Sequence, residues 1–346
     1  MQDSTLDIII VGAGLGGTCA ALYLSNSKRV ALLSGTAPAA STIAAGLVNP
    51  FAGQRMGGLW NASVAYEDFL HTLRRADALE TYNPCGILRP ALNEVQASLF
   101  RTISLEKPES FTWLQPDQVV GMYPSITAPF GAAITKGGVA DIPQMLDRLI
   151  TSLIPRCTVI QNNLTNWEDH GSEVTAVLDS GRSLRTKKLI LAVGAGYQSI
   201  PKLKNLNLHC TKGQLVHVSP PTEIPLPVSG YGYAVPFEDR LILGTTYEHT
   251  PQDLEPNDEG IAKILALTQQ MIPSVASAKV VSASAGIRVG VPGTRLPMVG
   301  PLTSNVWALT GLGSKGLLFG SHIGRNLDNW MTNPSNLPNE LRLQKN

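Results

Sequence analysis

The hydrophobic pattern is sharpest near the start of the chain. After the polar opening MQDSTLD, Ile8 to Val11 form an unbroken apolar run, the pattern of a parallel strand buried on both faces. A glycine cluster interrupts it. Thr18 to Leu24 then reads as helix, followed by a second apolar strand over Val30 to Leu33. Farther on, KKLILAVGAGY (Lys187 to Tyr197) is another buried strand running into a Gly-Ala-Gly turn. NVWALTGLGSKGLLFGSHIG (Asn305 to Gly324) repeats the order strand, glycine turn, helix. Between these, GQLVHVS, YGYAVPF and RLILGTTYE predict short strands separated by Pro- and Gly-rich turns. EGIAKILALTQQMI predicts an amphipathic helix. The sum is an α/β protein.

Composition narrows the function classes more than the fold. The 346 residues are 43% hydrophobic and 15% charged, and Lys and Arg are scattered, for a net charge of +1. That argues against a dedicated nucleic-acid or anionic-membrane surface. Cys19, Cys85, Cys157 and Cys210 are far apart and have no metal-ligand spacing; they read as separate thiols of a reducing compartment. The histidines show no HxxxH or HExxH spacing, so no metal is expected. The N-terminus lacks the basic region of a secretory signal, and the glycine-broken apolar run after it is short for a membrane span. The expected location is the cytoplasm.

DIIIVGAGLGGTCAALYLSNSKRVALLSG carries GxGxxG between a buried strand and a helix. Gly12 permits the tight turn, Gly14 lets backbone approach a pyrophosphate, and Gly17 lets helix and strand pack closely. The pyrophosphate then faces the helix amides. This is a dinucleotide seat. One position departs from the pattern: the second strand ends on Ser34, where an acid ordinarily accepts both ribose hydroxyls. A serine makes one weaker bond, which weakens the grip without abolishing it.

At this point the chain resembles the D-amino-acid oxidase/glycine oxidase family of FAD-dependent oxidoreductases. The resemblance is spread over GAGLGG, AAGLVNP, GGVADIPQMLDRLI, ILAVGAG, YAVPFEDRLILGTTYE, AGIRVG…RLPMVGP and GLGSKG. GLGSKG is also similar to the corresponding loop in the FAD domain of the bifunctional tRNA-modifying enzyme MnmC. The resemblance implies noncovalent FAD in a Rossmann-like domain interleaved with a mixed α+β substrate domain. The FAD-binding part would comprise 1–84, 137–205 and 286–346; the substrate part, 85–136 and 206–285. Pyrophosphate would lie on Gly12, Gly14 and Gly17, with Ser34 at the ribose. The isoalloxazine would lie between Ala45, Gly46 and Leu47 on one side and Gly311, Gly313, Ser314, Lys315 and Gly316 on the other, with Gly194 nearby.

The implied reaction moves a hydride from an amine-bearing carbon to flavin N5; the imine is hydrolysed and dioxygen reoxidises the flavin. The substrate is a small amine or amino acid. Arg288 matches the arginine that pairs with a substrate carboxylate, a task suited to a guanidinium fork, although Val289 follows it where proline is usual. The competing role is a structural ion pair at a sheet end. Tyr233 matches a tyrosine facing the substrate; Tyr247 and Glu248 close the next strand and could line the same cavity. Lys315 would reach the flavin N1/C2 edge. Arg295 reads as a loop salt bridge, and Asn49, Gln54 and Arg55 as donors to ring or substrate, or as turn residues. Two further readings stand beside this one: oxidation of a secondary amine on a modified tRNA nucleoside, and a flavin-fold binding protein without turnover.

Overall fold

Alternation of long apolar strands with helices builds the first layer. A computed structural model describes residues 5–36, 39–53, 56, 59–249 and 253–344. The chain opens with β1 (Leu6–Val11), α1 (Leu15–Leu24) and β2 (Val30–Ser34). Next come β3 (Leu47–Val48), α2 (Ala62–Arg75), β4 (Tyr82–Asn83), β5 (Ile87–Pro90) and α3 (Glu94–Glu106). They are followed by β6 (Phe111–Leu114), α4 (Pro116–Met122), β7 (Ala132–Thr135), β8 (Gly138–Ala140) and α5 (Ile142–Leu153). The middle holds β9 (Cys157–Gln161), β10 (Leu164–Asp169), β11 (Val174–Leu178) and β12 (Ser183–Leu191). Then come β13 (His209–Ser219), β14 (Val228–Ser229), β15 (Tyr233–Phe237), β16 (Arg240–Gly244) and α6 (Asp258–Thr268). The chain ends with β17 (Lys279–Gly290), β18 (Met298–Pro301), β19 (Val306–Thr310) and α7 (Gly316–Thr332).

Two large sheets divide these strands. The first runs β10-β11-β12-β1-β2-β9, with β19 on the last residues of β12 and β18 on β19. β12, β1, β2 and β9 are mutually parallel. Both faces are covered, as the continuous apolar runs require: α1, α2, α5 and α7 pack on one side, while Ile9, Val11, Leu33, Leu189 and Leu191 belong to the core on the other. The second sheet runs β17-β13-β16-β15-β14-β5-β7-β6, and α6 covers one of its faces. This is the Rossmann-like α/β architecture with a mixed second sheet.

Three features differ from the sequence expectation in extent. The first helix begins at Leu15 rather than Thr18, so Gly16 and Gly17 lie inside it. The strand expected over RLILGTTYE ends at Gly244, and the helix over EGIAKILALTQQMI ends at Thr268. Nothing in local periodicity marks β3, β4 and β8, two- and three-residue strands that form a small sheet of their own.

Two contacts bring the parts of the site together. Gly316, Gly320 and Gly324 line the face of α7 toward α1, and a Cβ at Gly324 would come within 2.7 Å of the Cys19 backbone. Side-chain-free contact lets the starts of both helices, and the glycine loops that precede them, lie next to each other. On the other side, Ala45 and Val139 share a core with Leu215, Val235 and Ile242 of the second sheet, and Ile43 and Leu47 pack against it. The AAGLVNP segment is therefore held between the two sheets. Among the described residues no helix is long and apolar enough to cross a membrane, and all four cysteines are free thiols.

Candidate active site

The glycine loop after β1 has the geometry its sequence calls for. Gly12 has φ +106°, a conformation open to glycine and costly for other residues. Its N–H donates to Leu33 O (2.9 Å), tying the loop to the end of β2. Gly17 packs against the Gly12 carbonyl and leaves 3.3 Å between its would-be Cβ and Ala192 Cβ. α1 follows Gly14 at its N-cap, with no side-chain cap and no acidic residue in its first turn. Its leading N–H groups are left for an anion.

The second glycine loop sits across from the arginine strand. Gly311 (φ +71°) and Gly313 (φ +52°) turn the chain between β19 and α7. Gly313 N donates to Val289 O (2.8 Å), which welds the loop to the end of β17. Val289 continues the pairing of β17 with β13 opposite Cys210, and its side chain is buried. The strand runs straight through the position where proline is usual.

Arg288 lies flat across β13. Its Nη2 donates to Thr246 O (3.0 Å), its guanidinium stacks 4.8 Å from the Tyr247 ring centroid, and Gly213 beneath it has no side chain to obstruct it. That is its one hydrogen bond among the described residues, which leaves most of the fork for a carboxylate. No carboxylate of the described residues lies within ion-pair distance, so the structural ion pair at the sheet end is absent. Tyr233 packs its ring against Gly244. Burial pushes its hydroxyl up to about 12, with Arg288, Tyr247 and Thr245 as neighbours. Tyr233, Tyr247 and Arg288 thus meet on one face of the second sheet. Tyr247 itself lies past the end of β16 and is 67% exposed.

Lys315 is a strongly perturbed cation of the site. Burial, together with the fields of Arg295, Arg288 and Arg89, pushes its ammonium down to about 8. None of these four cations has an ion-pair partner among the described residues. Arg295, expected in a loop salt bridge, is instead an exposed residue at φ +56° that faces this cluster. A Lys pKa below its usual value means that the charged form burdens the fold below pH 8 and that the burden fades toward the usual lysine value. Lys315→Met is therefore expected to raise the melting temperature of flavin-free protein at pH 7 by a few degrees. In the holoenzyme, affinity for a simple carboxylate such as acetate should fall as pH rises through about 8 toward the level of the variant, whose own profile should lack that step. A flat wild-type profile, read by flavin difference spectra, would remove Lys315 from the anion field.

Several sequence expectations land elsewhere. Glu248 has an ion-pair partner: its carboxylate is 3.6 Å from Lys212 Nζ, which also binds Asp253 (2.8 Å). Asn49 is a turn residue, its Oδ1 accepting from Phe51 N (3.0 Å). Gln54 and Arg55 lie outside the described residues. Gly46 (φ +80°) accepts Ala140 N on its carbonyl (2.8 Å), and Leu47 pairs with Val139. Gly194 (φ +52°) borders open space, with no atom within 4 Å of a would-be Cβ; Ser314 is exposed. Sequence reasoning missed Arg89, which sits 5% exposed on β5 and donates to Phe51 O (2.5 Å) and Gly53 O (2.7 Å). An arginine inside the apolar stretch ILRPAL was the available signal. It pins the backbone just after AAGLVNP.

The whole-chain comparison decides the family. The family model described as FAD dependent oxidoreductase (DAO) matches residues 7–330. The chain belongs to the DAO family of FAD-dependent oxidoreductases. Among its relatives, the uncharacterized oxidoreductase YurR of Bacillus subtilis is 26% identical across 92% of this chain and 93% of its own length. The bifunctional tRNA 5-methylaminomethyl-2-thiouridine biosynthesis protein MnmC of Burkholderia cenocepacia is 33% identical over 41% of this chain, a stretch that spans 24% of MnmC. The glycine oxidase structure from Bacillus cereus superposes with a TM-score of 0.83 over 99% of both chains at 20% identity.

The residues present fit FAD. An uncapped, acid-free α1 start offers amides suited to a pyrophosphate, and the cations around Lys315, without an ion-pair partner among the described residues, offer a positive field suited to the negative charge of a reduced flavin. Bound FAD supplies the two-electron acceptor. The protein's part is to hold the substrate, shape the cavity and set its charge.

Proposed function

We propose that this DAO-family enzyme oxidises the C–N bond of a small amino acid whose carboxylate docks on Arg288. The observation that carries the reading is the meeting of Arg288, Tyr233 and Tyr247 on one sheet face, beside cations with no carboxylate of the described residues to neutralise them. Arg288, held by Thr246 and Tyr247, fixes one end of the substrate and so presents its α-carbon at a set distance. Tyr233 stays protonated well above neutral pH and is a donor at that face. The carbon loses a hydride and the amine a proton; water adds to the resulting imine and releases ammonia. No protein base is required when the amine arrives neutral.

In this reading Gly12, Gly14 and Gly17 seat the pyrophosphate. Ala45, Gly46 and Leu47 face the Gly311–Gly316 loop across the ring, and Gly194 borders it. The FAD-binding part is 1–84, 137–205 and 286–346, and 85–136 with 206–285 form the substrate part. Dioxygen is the proposed reoxidant, and the cytoplasm the proposed location.

The test is an absorbance spectrum from about 300 to 550 nm followed by anaerobic addition of an amine and amino-acid panel. Bleaching by an amino acid, and not by the matching amine without its carboxylate, is the expected result. Bleaching only by a methylaminomethyl nucleoside, the chemistry in MnmC's name, would replace this substrate class. Flavin that no amine of any kind reduces would overturn the reading.

A further inference from the structure

β2 and β9 run parallel and in register from Val30 opposite Cys157 to Ser34 opposite Gln161. Both strands therefore release the chain at the same carboxyl edge, where Gly12 N is bonded to Leu33 O. A dinucleotide seated on the Gly12–Gly17 loop brings its adenosine ribose to the end of β2. The sequence offers only Ser34 there. The fold adds a second side chain.

Asn162 N donates to Ser34 O (3.0 Å), and the next residue, Asn163, leans back over Gly35. A Cβ at Gly35 would stand 2.5 Å from Asn163 Oδ1, so glycine here makes room for the amide. That amide is oriented. Asn163 Nδ2 donates to Asp179 Oδ2 (2.7 Å), which also accepts Asn163 N (3.3 Å), while Asp179 N donates to Asn163 O (3.0 Å). A carboxylate only accepts, so it claims the NH₂ side and turns the amide oxygen, an acceptor, toward Gly35. Beside it, Asn162 Oδ1 is buried with no donor among the described residues.

We propose that Asn163 Oδ1 and Ser34 Oγ together accept the adenosine ribose hydroxyls of FAD, the task a single carboxylate performs in other dinucleotide folds. Asp179, from the turn between β11 and β12, is the positioning residue, and Gly35 supplies the space. Two neutral acceptors, one at the end of β2 and one on the turn leaving the adjacent β9, replace two oxygens of one acid. The proposal rests on the FAD seat described above.

Flavin release from the purified holoenzyme, followed by fluorescence on dilution, tests it with FAD and with an FAD analogue carrying 2′,3′-dideoxyadenosine. Wild type should hold FAD more tightly than the analogue. Asn163→Ala should weaken FAD about tenfold, the scale of a neutral hydrogen bond with its partner left unpaired, and narrow the preference over the analogue. Ser34→Glu placed on Asn163→Ala should restore both, which a merely structural defect would not allow. Asp179→Asn, which frees the amide to flip, serves if Asn163→Ala does not fold, and should weaken FAD in the same direction. Unchanged FAD affinity and unchanged preference in these variants would place the ribose elsewhere and leave the FAD seat intact. A wild-type protein that binds no flavin would overturn the seat itself and this proposal with it.

Discussion

Arg288→Ala should lower kcat/KM for the amino-acid substrate by about 10²–10³-fold while leaving the flavin content of the purified enzyme unchanged. The magnitude is that of removing one partner from a desolvated charge pair, since the substrate carboxylate would then enter a cavity with nothing bidentate to meet it. Gly213 and Thr246 hold the guanidinium flat against β13, and Tyr247 covers it at 4.8 Å, so little of its ordering is left to occur on binding. Arg288→Lys should recover only part of the loss, because an ammonium is a point charge that cannot span both oxygens from the same strand position. The loss should appear in KM if the carboxylate contact is uniform along the reaction, and in kcat if it sets the angle of the α-carbon. Steady-state kinetics with the substrate found in the panel reads both. Equal kcat/KM in wild type and Arg288→Ala would take the carboxylate off Arg288.

The parts of this molecule written in local pattern were legible before any coordinates. β1, the Gly12–Gly17 loop, α1 and β2 are contiguous, and the apolar runs and the glycine spacing have one physical solution. The same holds for β19, the Gly311–Gly316 loop and α7. What was not legible depends on partners far away in the chain. Glu248 looks like a cavity residue until Lys212, on a different strand, is seen to claim it. Arg295 sits in a loop where a salt bridge is the ordinary outcome, yet no acid of the described residues approaches it. Arg89 acts on backbone carbonyls some forty residues upstream, a pairing that periodicity cannot encode. Ser34 read as a deficiency because its complement, Asn163, arrives on β9's outgoing turn. The substrate lies one step further off, since a fold hosts many chemistries and only the site selects among them.

Asp68→Ala should be the most destabilising of the substitutions considered, costing about 3–5 kcal/mol and roughly 5–15 °C in melting temperature. Asp68 is 4% exposed on α2, and both carboxylate oxygens are taken by α7. His322 Nδ1 donates to Oδ2 (2.7 Å) and Arg325 Nη1 to Oδ1 (2.6 Å), while His322 Nε2 faces Asn61 Nδ2 at 3.4 Å. Trp60, Phe319 and Trp330 enclose the imidazole. Alanine at 68 would strand a buried imidazole N–H and a guanidinium at the α2–α7 contact. The damage should spread, because α7 begins at the loop that carries Lys315. Faster flavin release should accompany the lower melting temperature. The pH dependence gives the charge its own signature. Burial alone would raise Asp68, but the bonds and charges of His322 and Arg325 outweigh it and hold the carboxyl below the usual carboxylate range. A depressed acid stabilises the fold above its unfolded pKa, and that contribution is lost as pH falls through the folded value. The gap in melting temperature between wild type and Asp68→Asn, which keeps the shape and removes the charge, should therefore be widest near neutrality and close as pH drops below about 4. A gap that stays constant as the pH is taken well below about 4 would mean that Asp68 acts through packing alone.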